Sequence, residues 1–299
     1  MLESSVTVFK LTSLGNSCCV LLSDQYKDLK ERGVDLVSFS RRLLDKNVGI
    51  GADNLLVVTE ERDIDKGRKE GKLEGYNADG SAVGMCGNGV RCVAYLLTRL
   101  EESNRSSVRY LFTLGKRQVE TVVLREEESV AINLGKPIFD PEGVPFNIEE
   151  ARRNNFSVKV SDVVSYEFTP VGMGNPHCVI EVDRVDDINL SFEGSFIERS
   201  VDIFPQKTNV EFVEPKAPYK VRIWERGVGE TLSSGSGASA VYAALVKRGR
   251  INAGEEVSLS MKGGDITVWQ DEQGSIWTES PVSFIATIDL SLSIVSNSL

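Results

Sequence analysis

Residues 85–99 read MCGNGVRCVAYLLTR and residues 233–247 read SSGSGASAVYAALVK, and these two stretches decide the fold. From Gly89 to Arg99, apolar residues fall at Val90, Val93, Ala94, Leu96 and Leu97, with Leu100 following, the spacing of one helical face. From Gly237 to Lys247 the segment is apolar almost all round, and a helix with so little polar face is enclosed by other structure. Lys247, Arg248 and Gly249 form its C-terminal stop. Both helices open with Cys or Ser before Gly-x-Gly. Both follow an acidic, glycine-containing turn, YNADGSAVG at 76–84 and ERGVGETL at 225–232. The repeated motif predicts two similar domains, each offering one helix N-terminus to a shared cleft.

Around these helices lie short β-rich runs: NLLVV at 54–58, VRYLF at 108–112, QVETVVL at 118–124, VAINL at 130–134, HCVIEV at 177–182, NVEFVE at 209–214, YKVRIW at 219–224 and EVSLSM at 256–261. Alternation in Gln118–Leu124 and Tyr219–Trp224 marks half-buried strands. ERDIDKGRKEGK at 61–72 and REEES at 125–129 read as charged, solvated loops. Enclosed helices among many short strands predict an α+β architecture.

The chain of 299 residues carries a net charge of −10 and a single histidine, His177. The acidic balance argues against nucleic acid, which asks for a basic face. No apolar stretch is long enough to span a bilayer, and the N-terminal residues lack a signal-peptide pattern, so a cytoplasmic protein without membrane partners is expected. Five cysteines form no CxxC pair, which favours reduced thiols over disulfides. One histidine, with no HExxH motif, supports neither a zinc site nor a Ser-His-Asp triad.

Of the five, Cys86 stands where chemistry is expected. A thiol just before a helix meets unsatisfied amides and the positive end of the helix dipole, which together favour thiolate. The glycines let backbone N–H groups approach a carboxylate. Two such helix ends would hold an α-carboxylate with one proton-transfer group on each side of the α-carbon, an arrangement suited to stereoinversion. The alternative is a tight turn with a buried thiol; its recurrence before a second apolar helix speaks for function. Cys18, Cys19, Cys92 and Cys178 sit in apolar contexts and read as core.

NADGSAVGMCGNGVRC at 77–92 resembles the first signature of the diaminopimelate epimerase family, and WERGVGETLSSGSGA at 224–238 resembles the second. GNPHCV at 174–179, IGADNLLVV at 50–58, NVEFV at 209–213 and the weaker SLGNS at 13–17 follow the family's further blocks in order. The resemblance implies two pseudo-symmetric domains, each a mixed β-barrel around a central helix. They would cover residues 1–133, completed by a returning strand within 282–299, and residues 134–281. It implies Cys86 and position 234 as the catalytic pair, with Gly87, Asn88, Gly235 and Ser236 supplying amides to the reacting carboxylate. Asn16, Asn54, Asn77, Asn175, Asn209, Glu225 and Arg226 would bind substrate, and His177 would stand behind the second catalytic position. Chemically, Arg226 can grip a distal carboxylate, while Glu225 and the asparagine carbonyls can accept from ammonium groups. The resemblance further implies interconversion of L,L- and meso-diaminopimelate in lysine biosynthesis, without metal or pyridoxal phosphate, and leaves room for a homodimer.

The chain departs from the family pattern where cysteine is expected, at Ser234. A hydroxyl ionises several pKa units above a thiol, each unit costing about 1.36 kcal/mol when the anion must form. Ser234 could donate a proton but would be a poor base, unless His177 approaches it in the fold. The substitution reads either as introduced or as natural divergence. Ser17 in place of aspartate, Thr12 and Ser13 in place of His-Gly, and Asn54 in place of glutamine point to divergence. An impaired diaminopimelate epimerase is therefore expected. The alternatives are a racemase with another amino-acid substrate and a binding homologue that has lost catalysis.

Overall fold

Cys86 and Ser234 each begin a helix, and around each helix the chain builds the same order of strands. The computed structural model describes residues 5–65, 67–84, 86–101, 105–141 and 143–292. The chain divides into two compact units, residues 1–132 with 280–299, and residues 133–279.

The first unit runs β1 (Ser5–Ser13), β2 (Asn16–Leu21), α1 (Ser23–Glu31), α2 (Leu36–Leu44), β3 (Asn54–Asp65), β4 (Arg68–Asn77), α3 (Gly87–Leu100), β5 (Ser107–Leu114), β6 (Arg117–Leu124) and β7 (Ser129–Asn133). Successive pairs from β1 to β7 are antiparallel, parallel, antiparallel, parallel, antiparallel and antiparallel. Helix α3 packs against β1, β2, β3, β5 and β6, so the mixed sheet wraps it. Its residues from Asn88 to Thr98 are all buried. A second cluster, including Leu29, Phe39, Leu43, Leu55 and Val57, lies beneath α1 and α2; each such side chain contributes roughly 2 kcal/mol by leaving water.

The second unit contains α4 (Ile148–Arg153), β8 (Ser157–Lys159), β9 (Ser165–Gly172), β10 (Pro176–Glu181), α5 (Leu190–Glu198), β11 (Asn209–Val213), β12 (Tyr219–Glu225), β13 (Gly229–Thr231), α6 (Gly235–Lys247), β14 (Val257–Met261), β15 (Gly264–Gln270) and β16 (Ile276–Pro281). The pairs β9–β10, β10–β11, β11–β12, β12–β14, β14–β15 and β15–β16 repeat the first unit's order: antiparallel, parallel, antiparallel, parallel, antiparallel, antiparallel. Helix α6 packs against β9, β10, β11 and β15. Phe168, Ile180, Ile197, Phe204 and Phe212 form this unit's separate outer core. Finally β17 (Ser283–Ser291) returns to pair antiparallel with β1.

Both central helices begin two residues earlier than apolar spacing alone suggests. The Cys86 Sγ accepts the Gly89 N–H at 3.2 Å and the Ser234 Oγ accepts the Gly237 N–H at 3.2 Å. Each side chain thus closes the first helical turn as an N-cap. Helix α6 ends as read from sequence: Gly249 takes φ +67°, its N–H reaches the Val246 carbonyl, and the Arg250 N–H reaches Leu245, a Schellman closure.

The expected loop over residues 61–72 is instead mostly strand. β3 runs to Asp65 and β4 starts at Arg68, with Arg62 opposite Glu70 and Asp63 opposite Lys69. Arg62 pairs with Glu70, Lys69 with Glu61 and Asp63, and Lys72 with Glu60. Opposite charges facing across the ladder take the place of apolar alternation. Helices α1, α2, α4 and α5 are additions to the two helices read from sequence. No helix among the described residues is long and apolar enough to cross a membrane.

Candidate active site

The duplicated strand order puts the candidate residues at matching places. Asn16 and Asn175 lie at the entrances to β2 and β10, Asn54 and Asn209 begin β3 and β11, and Asn77 and Glu225 end β4 and β12. Cys86 and Ser234 cap the helices that follow. Each unit therefore carries one cluster of candidate residues, built from its own chain segment.

Cys86, in the first unit, is half-buried, whereas Cys18, Cys19 and Cys92 of that unit and Cys178 of the second are buried. Burial pushes the Cys19 thiol up to about 12 and drives Cys18 and Cys178 well above the usual thiol range. Those cysteines are core residues, as their apolar contexts predict. The Cys86 thiol lies 3.1 Å from Asn54 Oδ1 and 3.8 Å from Asn16 Oδ1. Asn54 donates to Asn77 Oδ1 at 3.4 Å, and Asn77 donates to Ser81 Oγ at 3.0 Å. The structure thus gathers Cys86 and three of the expected asparagines. Asn88 differs: its side chain is buried and accepts from Arg91 Nη1 at 2.7 Å. What Asn88 and Gly87 offer a ligand is backbone at the first helical turn, where amides have no intrahelical partner.

Glycine at the third helical position leaves room for the cap. A Cβ on Gly89 would sit 3.1 Å from the Cys86 sulfur and 2.9 Å from Leu56 Cδ2. A Cβ on Gly237 would sit 3.2 Å from Ser234 Cβ, 3.1 Å from Glu211 Oε1 and 3.0 Å from Ile223 Cδ1. A larger residue at either position would crowd the capping residue and its neighbours.

In the second unit Ser234, Gly235 and Ser236 are half-buried. The Ser234 hydroxyl accepts from Gly237 and lies 3.4 Å from Ser236 Oγ. His177 does not reach Ser234. Its Nδ1 lies 2.6 Å from Glu211 Oε1 and its Nε2 lies 2.9 Å from Asn175 Oδ1, so both ring nitrogens are engaged elsewhere and the approach allowed for in sequence does not occur. Asn209 uses its side-chain amide to donate to the Pro176 carbonyl and to accept the Arg226 N–H, both at 2.9 Å. Glu225 accepts from Thr231 Oγ1 at 2.7 Å, and burial raises its carboxyl above the ordinary range. The Arg226 guanidinium donates to the Gln206 carbonyl at 2.9 Å.

Sequence reading missed Glu211. It is fully buried beneath the first turn of α6, and burial raises its pKa, with His177 acting in the opposite sense. Among the described residues its Oε2 has no hydrogen-bond partner. The available signal was a lone carboxylate inside the strand NVEFV at 209–213. Among the described residues no cluster of His, Cys, Asp and Glu is arranged to hold a metal ion.

A sequence model described as diaminopimelate epimerase matches residues 8–139 and 169–285, more than half of the chain. The diaminopimelate epimerase of Halothermothrix orenii is 34% identical over 88% of this chain and 90% of its own length. That of Carboxydothermus hydrogenoformans is 35% identical over 92% of this chain and 96% of its own length. Among solved structures, a predicted epimerase from Pseudomonas aeruginosa superposes with a TM-score of 0.66 at 16% identity, covering 95% of this chain and 99% of that one. A hydroxyproline epimerase from Agrobacterium vitis gives 0.63 at 12% identity, covering 97% and 94%; at such identities these two show the fold alone. With the sequence match and the duplicated fold in agreement, the chain belongs to the diaminopimelate epimerase family and is an isomerase of that type.

Proposed function

We propose that this enzyme interconverts L,L- and meso-diaminopimelate by proton transfer at an α-carbon, with Cys86 as acid/base and Ser234 as its weakened partner. The observation that carries the reading is the Cys86 thiol: the one half-buried cysteine, capping α3 beside Asn54 and Asn16. In this reading first-turn helix amides hold the reacting carboxylate, Cys86 removes or returns the α-proton, and Arg226 grips the distal carboxylate. Ser234 delivers a proton more readily than it takes one, since its hydroxyl must ionise to act as base and His177 does not serve it. The reaction would supply a lysine-biosynthesis step.

Circular dichroism of L,L-diaminopimelate tests this. Ser234→Cys should raise the inversion rate about 100-fold or more, the scale of a positioned acid/base group, and Cys86→Ala in that background should abolish it. If the Ser234→Cys enzyme leaves diaminopimelate untouched while inverting another amino acid, a racemase of different specificity is the correct reading. Ser234 also favours a second possibility, a binding protein: diaminopimelate bound by both forms and inverted by neither would establish it.

A further inference from the structure

We propose that Glu198 is a positioning residue that seats Arg226 and thereby sets the preference for amino acids with a second carboxylate; the inference rests on the diaminopimelate reading above. Glu198 ends α5, far in sequence from the substrate-binding turn, and only 4% of it is exposed. Its Oε2 accepts from the Trp224 indole N–H at 2.8 Å and its Oε1 from the Gly227 N–H at 3.0 Å. The two donors bracket Glu225 and Arg226, so one buried carboxylate holds both ends of the turn that carries the guanidinium.

The same carboxylate lies 3.8 Å from Lys207 Nζ, while Arg226 Nη1 donates to the carbonyl of the preceding residue, Gln206. A closed ring results: Glu198 to Gly227, Gly227 to Arg226, Arg226 to Gln206, and Lys207 back to Glu198. Helix α5 is brought close by Gly194, where an added Cβ would meet Trp224 Cβ at 2.8 Å. A guanidinium on a long flexible stem is selective only if its reach is fixed, because an unseated arginine must be ordered by the ligand itself. Glu198 does that ordering in advance. Glutamine is no substitute: one of its two terminal atoms is a donor, and both positions here face donors.

The test compares binding of meso-diaminopimelate with binding of lysine, the same skeleton without the distal carboxylate, by calorimetry on the full chain. The parent should prefer diaminopimelate, and Glu198→Gln should weaken diaminopimelate binding about tenfold, as expected for a charge-assisted contact, while leaving lysine unchanged. In the Arg226→Ala background, Glu198→Gln should cost nothing further, since the two act as one unit. If Glu198→Gln fails to fold, Trp224→Phe removes one of the two bonds and should lower the preference by a smaller factor. A preference unchanged in the folded variants, or equal losses for both ligands, overturns the role of Glu198 and leaves the diaminopimelate reading standing. A parent that does not prefer diaminopimelate over lysine overturns both.

Discussion

Cys86 and Ser234 occupy the same structural position and differ by one atom, and that atom decides what each can do. The thiol caps α3 with its sulfur accepting from Gly89; the hydroxyl caps α6 in the same way. As caps they are interchangeable, since each accepts the N–H of the glycine three residues on and closes its helix's first turn. As bases they are not. Exposure separates Cys86 from the other four cysteines, so brief treatment of the native chain with iodoacetamide should give one adduct by mass spectrometry, on Cys86. Diaminopimelate should slow it, and denaturant should release the remaining thiols. Glu211 gives a prediction in pH. Burial raises it above the ordinary 4.5, so between that value and its native one the folded chain holds a proton that the unfolded chain has released. Stability from this group therefore falls as pH rises through the window. Glu211→Gln should flatten the decline in unfolding midpoint as pH rises above 4.5.

At the scale of elements, the two central helices follow from the chemistry of their caps. Alanine is normally the better helix former by about 1 kcal/mol over glycine, so Gly89→Ala ought to stabilise α3 on propensity alone. The crowding of an added Cβ against the sulfur and Leu56 predicts the contrary. Thermal unfolding should show no gain, and inversion in the Ser234→Cys background should fall about tenfold or more, the penalty of a misplaced reacting group. Much of this was legible. Apolar spacing announced α3 and α6, and Lys247-Arg248-Gly249 announced the end of α6. Helix α2 was legible in principle, since Leu36, Phe39, Ser40, Leu43 and Leu44 are its buried face and Asp35 its cap. The extended ends of β3 and β4 were not, because pairs such as Arg62 with Glu70 are complementary across a ladder and look like a solvated loop along the chain. The Glu211–His177 contact was hidden for a similar reason: the two lie on neighbouring strands, and only the parallel register of β10 with β11, which sets His177 opposite Asn209, brings them together.

Over the whole molecule, sequence shows one repeated motif, while the structure shows the entire order of strand pairing repeated. The hydrogen-bonded order of the backbone repeats while most side chains differ, so the two candidate clusters match in position more than in residue type. The return of β17 to β1 brings the end of the chain back to the first unit's sheet, with the Phe284 ring centroid 5.1 Å from the Arg99 guanidinium carbon of α3. Ending the chain at Val282 should lower the unfolding midpoint by more than about 5 °C, the shift expected for a loss of one or two kcal/mol. The central claim is that Cys86 moves the proton at an α-carbon and that Ser234 limits the reaction. Exchange of the α-hydrogen of L,L-diaminopimelate in deuterated water, followed by proton NMR, tests it most directly. The account predicts rapid deuterium incorporation with inversion by the Ser234→Cys enzyme, incorporation about 100-fold slower or more in the parent, and none when Cys86 is replaced by alanine. Exchange that survives Cys86→Ala, or a Ser234→Cys enzyme that exchanges nothing, would contradict it.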